Sequence, residues 1–236
     1  MARRTTLVKL LDDLRAECRI SLNPANNRQA RDGQVKALQQ KQEYFWNDFA
    51  WPHLRVERFM PLAAGQRYYD LPDDLDITRI SKVEVRVDAA YARVQWGIDA
   101  EHYAAYDSEL DSRGWPIQRC KITEGEQLEV WPIPDANYDA TTLEGRVKIT
   151  GIRNLNALVD DADRADLDDR LIVLHCAAEY LASTGAKDAQ FKLDQATALY
   201  LKLRGQLMPR RKHKMFVGND SRRTRRVPIA IYRTGG

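Results

Sequence analysis

Leu7, Leu11, Leu14 and Cys18 recur at steps of four, three and four, which puts one apolar stripe on a helix starting near Thr5. Asn23-Pro24-Ala25-Asn26-Asn27 breaks that helix, and Asn26 or Asn27 has the short polar side chain that caps a helix start. A second helix is predicted from Arg28 to Asp48, with Val35, Leu38, Phe45 and Phe49 on one stripe and Gln42 as a polar interruption. Gly33 in its interior costs about 1 kcal/mol relative to alanine, so it reads as a point of close approach by another backbone. Pro52 stops the helix from running on.

From Leu54 to about Thr150 the period changes from helical to alternating. Val83, Val85 and Val87 interleave with Lys82, Glu84 and Arg86, the pattern of a half-buried strand. Gln118–Ile122 and Gln127–Trp131, joined by Thr123-Glu124-Gly125-Glu126, read as a hairpin, and Leu143–Thr150 as another strand. Pro61, Pro72, Pro116, Pro132 and Pro134 fall at predicted strand ends or edges, where a missing N–H is tolerated. A short helix is expected near Asp99–Ser108. Several short strands at this spacing imply a small β-sandwich or barrel.

Helical periodicity returns after the acidic run Asp160–Asp169. Leu167, Leu171, Leu174, Ala178 and Leu181 form one stripe, with Gly185 placed as its stop. Leu193, Ala196, Tyr200, Leu203 and Leu207 form the stripe of a further helix that ends near Pro209. The fold class is therefore α+β: an antiparallel helical bundle of N- and C-terminal helices, an inserted β-sandwich or barrel, and an extended C-terminal tail. The expected divisions are 1–52 (N-terminal helices), 53–155 (β-rich insert), 156–209 (C-terminal helices) and 210–236 (basic tail).

Charge divides the chain. The formal total is +3, from 37 Lys and Arg against 34 Asp and Glu. From Arg210 onward there are nine basic residues and one acid, Asp220, which leaves 28 basic against 33 acidic in the body. A mildly acidic body thus carries a strongly basic tail, which predicts a tail directed at something negative. No apolar run reaches the roughly 18 residues of a membrane span, and MARRTTLVKLLDDL meets acids too early for a signal peptide. Synthesis in the cytoplasm without export is the simplest expectation.

No catalytic constellation emerges. His53, His102, His175 and His213 include no pair at i, i+4, and His175, beside Cys176 on a helix, is expected to be packed or capped. Cys18, Cys120 and Cys176 form no Cys-x-x-Cys pair and read as packed thiols. There is no phosphate loop, no Gly-x-Ser-x-Gly, and no residue set for a cofactor or metal. A calcium loop starting at Asp160 would need glycine and glutamate where Ala165 and Leu171 stand. The run suits a helix start better, with Asp166 as the cap, or a solvated contact for a basic neighbour. Tyr44, Phe45, Trp46, Phe49 and Trp51 resemble a base-stacking platform in composition. They read better as core, with Phe45 and Phe49 buried together and Trp51 covering the helix–sheet junction.

The candidate binding residues lie in the tail. Arg210, Arg211, Lys212 and Lys214 make one basic cluster; Arg222, Arg223, Arg225 and Arg226 make a second. Phe216, Val217, Val227, Ile229, Ile231 and Tyr232 are apolar anchors that a purely solubilising tail would not need, although that reading stays open. Charge with anchors describes a segment that folds onto a partner, for example by adding a strand to its sheet. DNA phosphate is the other target, since duplex DNA presents about one charge per 1.7 Å.

The order of certain pieces resembles the head-to-tail adaptor, or head-completion, proteins of short-tailed bacteriophages (podoviruses). These are Phe45-Trp46-x-x-Phe49-x-Trp51-Pro52, then Ala64-Gly65-Gln66 leading to Tyr69-x-Leu71-Pro72, then Leu128-x-Val130-Trp131-Pro132-x-Pro134. Leu171 through Ala177-Ala178-Glu179-Tyr180-Leu181 and the helix bearing Tyr200 complete the likeness over about residues 5 to 209. The resemblance implies a homo-oligomeric ring of twelve copies between the portal protein and the tail nozzle or fibre proteins. Double-stranded DNA would pass non-specifically through its lumen, and the C-terminal extension would reach the portal. Residues 210 to 232 would then be portal-binding, in a virion protein with no enzymatic activity. The alternatives are a tail-tube or nozzle ring component, or a nucleic-acid-binding protein that uses the basic tail.

Overall fold

The computed structural model describes residues 4–23, 30–106 and 110–208. In chain order its elements are α1 (Leu7–Glu17), α2 (Arg31–Asp48), a 3-10 turn (Pro52–Leu54), β1 (Arg55–Pro61), β2 (Tyr68–Asp70), β3 (Leu75–Val87), β4 (Ala90–Trp96), α3 (Ala100–Ala105), β5 (Arg119–Ile122), β6 (Gln127–Trp131), β7 (Arg146–Arg153), α4 (Asp169–Ser183) and α5 (Ala189–Leu207). Among the described residues this is a mixed α+β fold of five helices and a curled seven-stranded sheet.

The leucine stripe of α1 is buried as expected, with Leu10 added to Leu7, Leu11 and Leu14. α4 is apolar nearly all round and packs against α1, α2 and α5. Its start is capped by Asp168, whose carboxylate accepts from Leu171 N at 3.1 Å. Gly185 ends it at φ +71°, where a side chain would be strained. Gly185 N donates to Ala182 O and Ala186 N to Leu181 O, the paired bonds of a Schellman motif.

The strands run β1-β7-β3-β4-β5-β6-β2. Neighbours are antiparallel except β4 and β5, which residues 97–118 connect through α3; a parallel pair requires such a crossover. Register sets Val83 opposite both Val94 and Ile149, and Val85 opposite Val147, so β3, β4 and β7 place aliphatic side chains on one face. That face builds one hydrophobic core with Met60, Leu62, Tyr69, Cys120, Leu128 and Val130. The expected hairpin is β5–β6, with Ile122 opposite Leu128. A second core gathers the leucines of α1, α2 and α4 around Phe45 and Trp51, and it includes Leu54 and Ile152 from the sheet's end.

Polar bonds fasten the two cores together at this junction. Trp51 Nε1 donates to Phe45 O at 2.8 Å, and Arg79 of β3 donates to Trp46 O at 2.6 Å and Asn47 O at 3.0 Å. These carbonyls lie in the last turn of α2, where no intrahelical N–H remains for them, and a cation there also suits the helix dipole. Gln42, the interruption in the α2 stripe, is only 2% exposed. Its amide donates to Asn156 O at 3.4 Å and accepts from Asp166 N at 3.0 Å, tying α2 to the β7–α4 connection. Asp166 holds Arg153 and accepts from Asn156 N at 2.8 Å.

Several expectations change. α2 begins at Arg31, after Ala30, and Asn26 and Asn27 lie outside the described residues. A Cβ built at Gly33 meets nothing within 4 Å, so no backbone among the described residues approaches it. α2 ends at Asp48 and Phe49 is already extended, at φ −139° and ψ 136°. The i, i+4 relation to Phe45 is therefore lost, and Phe49 turns its edge to Trp51 at 5.2 Å. Asp166 does not cap α4; Asp168 does, and Asp168 and Asp169 are both buried rather than solvated. α3 is shorter than expected, with Asp99 and His102 closing a capping box.

Candidate assembly surfaces

Arg210, Arg211, Lys212, Lys214, Phe216, Arg222, Arg223, Arg225, Arg226, Val227, Ile229, Ile231 and Tyr232 all lie outside the described residues, which end at Met208. The body that carries them is described almost throughout. Its three cysteines are buried, and burial pushes the thiols up to about 11 at Cys18 and about 12 at Cys120 and Cys176. A thiol held that far above neutral pH stays protonated and packs as a small apolar group. His175 stands edge-on to Phe45 at 5.2 Å; burial, with Lys41 nearby, pushes its pKa down. His102 Nδ1 accepts from Asp99 N at 3.1 Å. Ala165 and Leu171, at the key positions of the acidic run, are both in the helical core. Among the described residues no group of three or more His, Cys, Asp or Glu is placed to hold a metal ion, and no helix is long and apolar enough to cross a membrane.

Charged side chains on the sheet form structural networks that periodicity did not reveal. Glu129 of β6 is 2% exposed. It accepts from Arg67 Nε and from Tyr103 OH, each at 2.7 Å, while Lys121 Nζ donates to Tyr103 OH at 2.7 Å. Burial pushes the Glu129 carboxyl up, but the bonds from Tyr103, Arg67 and Lys121 together outweigh it and hold it below the ordinary glutamate range. Glu84 is held low in the same way, by Lys148 and Lys82 against burial, and Asp74 by Arg58. A carboxyl depressed on folding stabilises the protein above its unfolded pKa, and that stabilisation disappears as pH falls through the folded value. Asp169, raised by burial against the bonds from Thr5, works in the opposite sense. Asp111, Asp139 and Asp163 on the surface are also held low, by Arg113 and by nearby backbone and hydroxyl donors. Six depressed carboxyls against one raised predict net loss of stability in acid. Urea midpoints should fall between neutrality and about pH 3, and Glu129→Gln should flatten that fall. An identical pH slope in wild type and variant would count against the network.

Two features of the helical surface are open to partners. A groove of about 690 Å³ runs between α4 and α5, lined by Arg170, Leu174, Ala198, Leu199 and Lys202 with Asp168. α5 also exposes Phe191 (62%) and Leu201 (60%). Such side chains are normal singly, but here they lie on the helix that leads directly to the basic tail.

The site defined by these observations is thus a set of surfaces on a rigid α+β body, with a basic segment following its last helix. The family model described as SU10 adaptor protein matches residues 5–230, and the chain belongs to that family. It is a structural adaptor protein of a bacteriophage, a component of the virion that associates with other phage head or tail proteins. None of the curated proteins matches the chain.

Proposed function

We propose that the protein is a ring-forming adaptor that joins the phage portal to the tail nozzle around the DNA channel, as in short-tailed phages. The observation that carries this reading is the family match, which runs through the whole body and on to residue 230, 22 residues past the described end at Met208. The matched span takes in most of the basic segment, which supports a binding role for it over a solubilising one.

In this reading α1 and α2 pair with α4 and α5 as an antiparallel bundle in the wall of a twelve-copy ring. Residues 53–155 form the inserted β domain, and residues 210–236 reach the portal. A closed ring of identical subunits needs two different, mutually complementary faces on each copy. Each tail adds one portal contact, and many copies multiply weak contacts through avidity. Tight phosphate binding would hinder movement of DNA through the lumen, so the tail arginines engage acidic groups on the portal rather than DNA. The role is one of shape and attachment, with no catalytic step and no cofactor, in a protein made in the host cytoplasm and carried at the head–tail interface.

Deleting residues 210–236 is expected to leave the urea midpoint unchanged and to weaken attachment to the portal about 100-fold or more, because every copy loses a contact. Sedimentation with portal-bearing heads measures the loss, and negative-stain images of the full chain with portal should show rings. Undiminished attachment of the truncated protein would defeat the assignment of the tail.

A further inference from the structure

The face of the sheet that points away from its core is strongly cationic. Strand alternation and register bring Arg55 and Glu57 of β1, Lys148 of β7, Lys82 and Glu84 of β3, and Arg93 of β4 into one depression of about 410 Å³. Glu84 lies between Lys82 and Lys148, with Lys148 Nζ at 2.7 Å, so its charge is neutralised within the fold. Arg55 and Arg93 form no ion pair among the described residues, and neither do Arg86 and Arg146 farther along the same face. The Arg146 guanidinium lies over the Phe59 ring at 3.9 Å and that of Arg86 over Tyr91 at 5.8 Å. Elsewhere on the body Arg58, Arg67 and Arg153 reach a carboxylate, and those that do not among the described residues, such as Arg119, Arg164 and Arg170, lie on segments outside β1, β3, β4 and β7. Four guanidinium groups gathered on one face, none paired with a carboxylate among the described residues, mark a surface suited to negative charge from another molecule.

The same chain carries a counterpart of opposite charge. A second depression, also about 410 Å³, is lined by Asp70, Asp73 and Glu126 over Leu75 and Ile77, and no cationic side chain lines it. None of its three acids forms an ion pair among the described residues. It is built from the end of β2, the β5–β6 turn and the start of β3, and it shares no lining residue with the cationic depression, which β3 enters only from Ser81 onward.

We infer that these two oppositely charged surfaces meet in the contact between neighbouring copies: the cationic β1-β7-β3-β4 face of one subunit faces the acidic surface beside β2 and the β5–β6 turn of the next. The inference rests on the ring reading above and adds the surface through which the ring closes. Opposite potentials across such a contact steer encounter and fix register, and like charges facing each other reject the wrong partner. A polyanion such as DNA would satisfy the cationic face alone and would leave the acidic depression without a role. A second copy satisfies both.

Two full-length charge reversals test this, Arg55→Glu with Arg93→Glu, and Asp73→Lys with Glu126→Lys. All four residues are exposed, so both proteins should keep the wild-type urea midpoint. Each variant alone should need about 100-fold more protein to self-associate, alone or on portal. Their equimolar mixture should assemble again as an alternating ring, since one now carries two acidic faces and the other two basic ones. Native mass spectrometry would read the alternation directly. Folded variants that assemble like wild type, or a mixture that stays apart, overturn this contact and leave the ring reading intact. If the first variant assembles normally but loses retention of duplex DNA, the face belongs to nucleic acid and the contact is wrong. A wild type that never self-associates, with or without portal, overturns the ring reading and this contact together.

Discussion

Trp51→Ala is expected to cost about 3–5 kcal/mol of folding stability, the range for losing a fully buried large aromatic. Trp51 is 0% exposed and stands at the point where α2 gives way to the sheet. Its loss would leave a cavity between Phe49, whose edge meets the indole at 5.2 Å, and the helical core around Phe45. It would also leave Phe45 O, in the last turn of α2, without the indole N–H that satisfies it at 2.8 Å. Trp51→Phe separates the two effects. It keeps most of the ring and removes the donor, so it should cost only about 1–3 kcal/mol, the penalty of one buried acceptor left unpaired. Equilibrium urea unfolding of the three proteins measures the series. A loss below about 1 kcal/mol for Trp51→Ala would mean the site collapses without a cavity, and the junction would not depend on this side chain.

The parts of the fold that were legible in the sequence are those where one period governs many residues. The stripe of α1 and that of α4, from Leu171 to Leu181, come straight from side chains recurring on one helix face, and they are buried as read. The hairpin of β5 and β6 followed from two alternating runs around a four-residue turn. What escaped the reading depends on contacts distant in sequence. Gln42 looked like a defect in its stripe; it is a buried polar group whose partners, Asn156 and Asp166, lie more than a hundred residues away. Phe49 fitted the helical stripe until the backbone turned extended one residue earlier than the pattern required. In the acidic run any of several aspartates could cap α4; Asp168 is the cap, while Asp166 is engaged by Arg153 from the end of β7.

The candidate surfaces divide along the same line. The basic tail was readable because nine cations in 27 residues need no three-dimensional context. The cationic sheet face was not, since Arg55, Arg93 and Arg146 are 38 and 53 positions apart and meet only through the order β1-β7-β3-β4. No periodicity announces strand order. Glu129 illustrates the point within a single strand: between the inward Leu128 and Val130 it should be a solvated residue, and it is buried because Arg67, Tyr103 and Lys121 converge on it from three other segments.

The second large effect is expected at Asp166. Asp166→Ala should cost about 2–4 kcal/mol, somewhat less than breaking a fully buried pair, because the Arg153 side chain is 22% exposed and can partly rehydrate. The carboxylate holds both terminal nitrogens of Arg153, accepts from Asn156 N at 2.8 Å and receives Asn156 Nδ2 at 3.2 Å. Those bonds fasten the end of β7 and the connection that leads into α4. The bond from Asp166 N to Gln42 survives the substitution, so α2 and this connection should stay in contact while β7 loosens. Hydrogen exchange should therefore rise from about residue 153 to 158 before it rises in α4, and Asp166→Asn should fall between alanine and wild type. Uniformly unchanged exchange would show that the carboxylate does not hold the junction. The consequence for assembly is more demanding than the loss of stability. Closing a ring requires the same rotation at every contact, and if the contacts lie on the sheet while the wall is helical, that rotation passes through this junction. If the proposed ring forms, folded Asp166→Ala protein should give open or irregular oligomers in negative stain in place of the closed rings expected of wild type, and regular rings from the variant would locate the angle-setting contacts entirely on one side of it.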